Sequence, residues 1–326
     1  MVFFLHVPFP SYELFRLIPK QWQKDILTGV MGADLIGFHT IDYASHFLSS
    51  VEEVLKVEHD GQFLAWDNRK IKADAFPISI DYNLFHDAYD DPMVSEAREK
   101  YVELKGGKKM IFSVDRLDYT KGVANRLKGF QQFISNYPEY LEKVIFVLVI
   151  VPSRDSVVKY AERKKIIDES VGNLNSGLGN VVWQPIIYKY GHLDFNELIA
   201  LYTACDLALI TPLRDGMNLV AKEFVASRKD LSGVLVLSEM AGAAHELTEA
   251  LLINPNDVIE IASAIKAGLE MSQRDQGERL QEMQDRISHY DVYVWATDFF
   301  NELKAVKDVQ LSLRSNFWIT SQRSSC

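Results

Sequence analysis

The sequence predicts an α/β protein built on a parallel, doubly wound sheet. Three observations carry this expectation. From Lys109 onward, short apolar runs alternate with segments of helical spacing. The runs over 110–114, 144–150, 206–210 and 234–237 are apolar at nearly every position rather than alternating, with Ser113 and Asp206 the exceptions, as strands covered on both faces are. The stretch from Pro212 to Phe224 follows one such run and opens a helix. It is a strand-loop-helix corner, where free helix N–H groups and loop side chains converge on a ligand.

Before that sheet, residues 1–5 read as a strand. Two prolines around Phe9 then force an extended loop and place His6 at the strand's end. His6 is either a site residue or an ordinary histidine near a core edge. Helices are expected over 21–31 and 41–54, a strand over 34–38, and a hairpin of 63–67 and 70–76 turning at Asn68-Arg69. Residues 77–81 lack a periodic pattern and read as a domain connector.

In the regular region, strands are expected over 110–114, 144–150, 181–183, 206–210 and 234–237. Helices are expected over 123–136, 156–173, 195–204 and 219–227, and from about 257 to 307. The tail, 308–326, is polar and expected to be poorly ordered.

Composition narrows the function. The chain has 326 residues and a net charge of −10, which argues against nucleic-acid or anionic-membrane binding. An anionic ligand then needs a local basic cluster. Cys205 sits in an apolar context and Cys326 is the last residue, so neither a disulfide framework nor a zinc site can be built. The apolar start is too short for a signal peptide or membrane span, and the cytoplasm is the expected location.

Two cations, Arg116 and Lys121, follow the first strand of the regular region, where such a sheet places phosphates. A fork and a point charge together can neutralise a diphosphate. The competing reading pairs Arg116 with Asp115 or Asp118 and leaves Lys121 solvated. Arg154 follows the next strand and either adds a third cation or pairs with Asp155 or Glu162. In the 212–224 corner, Asp215 lies in the loop and Glu223 roughly two helical turns on. That arrangement suits a long ligand with hydroxyls at both ends. Glu239 and His245 are weaker candidates in a segment of small residues. No Walker A sequence, Gly-x-Gly-x-x-Gly or Asp-x-Asp pair is present, and no metal or cofactor is expected.

Five stretches in this order resemble the UDP-forming trehalose-6-phosphate synthases. They are His6-Val7-Pro8-Phe9-Pro10-Ser11, Gly32 to Thr40, Ser113 to Gly122, Arg214 to Val220 and Ala241 to Ala244. The resemblance spans roughly residues 3 to 305. It implies a retaining glycosyltransferase of GT-B architecture, with two Rossmann-like domains. The implied reaction is glucose transfer from UDP-glucose to glucose 6-phosphate without a metal. By position, Arg116 and Lys121 would hold the donor diphosphate, helped by the backbone of Asn218, Leu219 and Val220. Glu223 would take the ribose hydroxyls. Asp215, with the backbone of Gly216 and Met217, would hold the donor glucose. His6 would contact that sugar across the cleft, and Arg154 would bind the acceptor's phosphate.

The resemblance also implies a departure. Relatives carry a segment before the His6 motif that supplies a Gly-rich loop and acceptor contacts. The expected chain is therefore N-terminally truncated, with an incomplete first domain. Residues 1–77 would be the remnant of the acceptor-side domain and 78–290 the nucleotide-sugar domain. Residues 291–307 would form a helix packing back on the remnant, followed by the tail at 308–326. Turnover by such a chain is not expected, because positioning is a large share of a transferase's rate. The alternatives are a non-catalytic UDP-glucose-binding or partner-binding module, acting as a homo-oligomer or with a full-length synthase, and a related transferase with other substrates.

Overall fold

The computed structural model of the chain describes residues 1–153 and 158–323. They form two compact units, Met1–Ile78 with Val292–Cys326, and Ser79–Asp291.

The first unit opens with β1 (Val2–Phe4), α1 (Tyr12–Phe15), α2 (Lys20–Val30), β2 (Leu35–Phe38), α3 (Ile41–Leu55), β3 (Phe63–Trp66) and β4 (Arg69–Ala75). The sheet order is β1-β2-β4-β3, with β3 the one antiparallel member. The hairpin turns one residue earlier than expected. Asp67 and Asn68 both take positive φ, 52° and 57°, the backbone that matches a two-residue turn to the twist of its strands. Thr40 caps α3 by accepting the Tyr43 N–H. The helix buries Phe47, Leu48 and Val51, which join Phe9, Phe15, Leu27 and Phe38 in one core.

The second unit contains α4 (Tyr82–Asp87), α5 (Pro92–Lys105), β5 (Lys109–Arg116), α6 (Val123–Asn136), β6 (Val144–Val151), α7 (Val158–Leu178), β7 (Ile186–Tyr190), α8 (Phe195–Ala204), β8 (Leu207–Ile210), α9 (Leu219–Ser227), β9 (Val234–Ser238), β10 (Leu251–Ile253), α10 (Val258–Glu270) and α11 (Gln273–His289). Its six strands are all parallel, in the order β10-β9-β8-β5-β6-β7. The chain steps outward from β5 to β7 on one side, then returns beside β5 with β8. The strand order therefore reverses between β5 and β8.

One expected strand is displaced. Residues 181–183 form a turn, and the strand is β7, beginning at Ile186 beside Phe146. Asn180 explains the difference. Its side-chain oxygen accepts the N–H groups of Val182 and Trp183 at 2.9 and 3.0 Å, a local bond that competes with sheet pairing. Val181 and Val182 are left exposed, while the Trp183 indole donates to the Val144 carbonyl at 2.8 Å.

The chain ends in α12 (Val292–Arg323), which belongs to the first unit. The poorly ordered tail expected after Lys307 is instead helical as far as Arg323. No glycine or proline interrupts that stretch, so nothing in the backbone stops the helix. Phe299 is buried and meets the rings of Phe4, Phe76 and Trp295 edge-on or stacked, at 4.9 to 5.8 Å. Phe299→Ala is expected to lower the stability of this unit by about 3–5 kcal/mol. Urea unfolding followed by Trp fluorescence measures it, and a loss below about 1 kcal/mol would contradict this packing. Among the described residues, no helix is long and apolar enough to cross a membrane.

Candidate functional site

The reversal between β5 and β8 opens a crevice beyond their C-terminal ends, where open α/β sheets bind ligands. Both basic and acidic loops singled out in the sequence leave the sheet there. Arg116 is the last residue of β5, and Lys121 ends the 3-10 turn that follows it. Asp118 braces this turn by accepting the Thr120 N–H and hydroxyl at 3.0 and 3.1 Å. Gly122 has a φ of 68°, and a Cβ there would stand 2.4 Å from the Thr211 carbonyl. A glycine is needed for both reasons. The loop after β8 is stitched to the turn, since the Thr120 carbonyl accepts the N–H groups of Leu213 and Arg214 at 2.7 and 3.3 Å.

That second loop runs into α9. Asn218, at a φ of 72°, caps the helix by accepting the Ala221 N–H at 3.2 Å. Its amide also donates to Asp215 Oδ2 at 3.0 Å. Lys121 Nζ donates to the same oxygen at 2.6 Å. The N–H groups of Leu219 and Val220 have no partner within the helix. They stand at its positive end, beside this cluster. Gly216 and Met217 are buried, and the segment after β9 holds their loop. The Gly242 and Ala243 N–H groups donate to the carbonyls of Asp215 and Met217 at 3.3 and 2.8 Å. Glu239 and His245 lie exposed in that segment, whose backbone braces the loop.

The two cations differ in state. Lys121 is largely buried and paired with Asp215, not solvated. Arg116 is exposed and makes no ion pair among the described residues. Neither neighbouring acid takes it, because Asp115 faces inward onto Arg126 and Asp118 is spent on the turn.

Glu223 lies about one turn into α9 rather than two, because the helix begins only at Leu219. It accepts a hydrogen bond from the Tyr202 hydroxyl at 2.9 Å. Burial raises its pKa above the ordinary carboxylate value, against the pull of that bond. Burial and the adjacent Glu223 push the Tyr202 phenol well up. Beside it, Lys222 is fully buried and paired with Glu246 at 2.9 Å, and burial pulls its pKa down.

Two contributors escape sequence reading. Tyr202 lies on the apolar face of α8, where an aromatic residue reads as core. Arg126 lies among Val123, Leu127 and Phe130 on the buried face of α6. A charge on such a face is the signal that marks it.

His6 follows β1 in the first unit, exposed, with its ring 4.8 Å from that of Phe4 and 5.3 Å from that of His39. Arg154 and Cys326 lie outside the described residues. Cys205 is a free, buried thiol pushed up to about 12 by burial. Among the described residues, no group of three His, Cys, Asp or Glu side chains gathers to hold a metal ion.

Known proteins bear on this geometry. The bifunctional trehalose-6-phosphate synthase/phosphatase of Thermoproteus tenax is 48% identical over 308 residues, which is 94% of this chain and 42% of that protein. The UDP-forming alpha,alpha-trehalose-phosphate synthase of Pichia angusta is 42% identical over 306 residues, 93% of this chain and 64% of that one. The chain thus spans less than two thirds of these relatives' length. Among solved structures, the E. coli protein bound with UDP-2-fluoro glucose superposes with a TM-score of 0.88 at 33% identity, covering 93% of this chain and 67% of that one. The Burkholderia xenovorans synthase in complex with glucose-6-phosphate gives 0.89 at 29%, with the same coverage. The fold is accordingly the two-unit α/β architecture of the GT-B synthases. The sequence profile of glycosyltransferase family 20 matches residues 1–305, and the chain belongs to that family.

Proposed function

We propose that the crevice at β5, β8 and α9 binds UDP-glucose. The reaction it serves is glucosyl transfer to glucose 6-phosphate, giving trehalose 6-phosphate and UDP with the anomeric configuration kept. The observation that carries this reading is the meeting of Lys121, Asp215, Asn218 and the α9 N-terminus in one hydrogen-bonded cluster, with Arg116 exposed on the adjoining strand end. In this assignment Arg116, Lys121 and the N–H groups of Asn218, Leu219 and Val220 take the diphosphate. Glu223 takes the ribose. Asp215 and the backbone of Gly216 and Met217 take the glucose. Donor binding exchanges the Lys121–Asp215 pair for contacts to phosphate and sugar. As the bond from glucose to UDP breaks, its electron pair leaves on the diphosphate. Fixed cations and a helix N-terminus stabilise that charge without reorganising. The relatives solved with a UDP-sugar analogue and with glucose-6-phosphate support both substrates.

The deciding experiment measures UDP release from UDP-glucose by the purified chain, with and without glucose 6-phosphate. Release that depends on glucose 6-phosphate supports transfer. UDP binding without release points to a donor-binding module, and no UDP binding overturns the site.

Glu223 adds a pH signature. Its folded pKa is raised from 4.5. Its contribution to stability is therefore full below 4.5 and is lost as pH rises through the folded value. Ribose hydroxyls donate to the ionised carboxylate, so UDP affinity is expected to rise across the same window. Glu223→Gln should flatten that rise, and Glu223→Ala should weaken UDP binding about tenfold. Calorimetry at several pH values checks both, and an affinity unchanged in the alanine variant removes Glu223 from the site.

A further inference from the structure

Behind Arg116 and Lys121 lies a third cation to which the roles above give no part. Arg126 is completely buried on α6, and its guanidinium reaches three different segments. Nε donates to the Thr211 hydroxyl at 3.0 Å, just past the end of β8. Nη1 donates to the Ser113 hydroxyl on β5 and lies 2.7 Å from Asp115 Oδ2 on the same strand. Nη2 donates to the Lys121 carbonyl at 3.1 Å. These are the two strand ends and the turn that bound the crevice. From there the charges alternate outward. Asp115 stands 4.0 Å from Lys121 Nζ, and Lys121 stands 2.6 Å from Asp215.

The geometry points to Arg126 as a positioning residue of the donor-diphosphate site. It anchors the Lys121 backbone and, through Asp115, sets where the Lys121 ammonium stands when a diphosphate replaces Asp215. This rests on the reading of the crevice as a UDP-glucose site.

The fork geometry supports the role. One planar group meets acceptors on three segments at once, which a lysine ammonium on a single flexible stem does not. The location supports it too. A buried ion pair contributes little net stability compared with apolar packing of the same volume. This one sits where β5, β8 and the Lys121 turn converge, so its bonds hold loop geometry. Burial raises the Asp115 pKa while Arg126 and Lys121 pull it down, so the carboxylate depends on both cations.

The test compares UDP and uridine binding by calorimetry in the wild-type chain, in Arg126→Lys and in the double variant Arg126→Met/Asp115→Asn. The double variant removes both buried charges and so leaves neither unpaired. Cooperative thermal unfolding shows which variants are folded. A folded variant is expected to bind UDP at least about tenfold more weakly, the effect of one misplaced charge-assisted hydrogen bond, with uridine affinity changed less than about twofold. UDP affinity equal to wild type in the folded double variant overturns the proposal. Equal losses for UDP and uridine also overturn it, since they would make Arg126 a general structural residue. A wild-type chain that does not bind UDP fails the donor reading itself, and this proposal falls with it.

Discussion

Arg116→Ala is expected to weaken UDP binding by roughly 10- to 100-fold at low salt, because a charge-assisted, bidentate contact to phosphate is lost. The loss should shrink as salt is raised toward about 1 M, where charges are screened within a few ångströms. Arg116 is exposed and unpaired among the described residues, so folding stability should change by no more than about 0.5 kcal/mol. This separates binding from fold in one variant. Calorimetry at two ionic strengths provides the check. A loss indifferent to salt would make Arg116 structural, and no loss would place the diphosphate elsewhere. Lys121→Ala is a less clean probe, because it also strips Asp215 of its partner.

The second large effect comes from a residue with no functional group. A Cβ on Gly242 would stand 2.1 Å from the Gly216 carbonyl oxygen and 3.2 Å from the Met217 Cα. These are backbone atoms, so they yield only if the loop from Asp215 to Met217 moves. Gly242→Val is therefore expected to lower UDP-glucose affinity by roughly 10- to 100-fold, since the hydrogen bonds that this loop offers the sugar are lost together. The cost in stability is expected to be only about 1–3 kcal/mol, the usual range for overpacking. Circular dichroism reports whether the fold survives and calorimetry reports the affinity. Binding that stays intact would show that the segment after β9 does not set the donor loop.

Several elements were legible because their cause is local. A strand covered on both faces is largely apolar, and β5, β6, β8 and β9 are buried along nearly their whole length, with Ser113 and Asp115 of β5 the polar residues that Arg126 partners. A hairpin announces itself through residues that tolerate positive φ. The misreadings also have local causes. Val181-Val182-Trp183 is apolar enough for a strand, but one Asn180 side chain folds it into a turn. Helix α5 buries only Val94, so its apolar stripe is too thin to mark a period. The segment after Lys307 is polar enough to read as a tail, although nothing in its backbone ends the helix.

The sequence by itself determined the α/β class, the corner between β8 and α9, and the motifs that place the chain in its family. Only the tertiary structure decided how the site residues pair. Lys121 bonds Asp215 across 94 positions, Arg126 bonds Thr211 across 85, and Tyr202 bonds Glu223 across 21. Apolar periodicity and turn chemistry act between near neighbours and leave their mark in the order of residues. Partners so distant are chosen by the strand order, which brings β5 and β8 side by side, and the sequence carries no local trace of that choice.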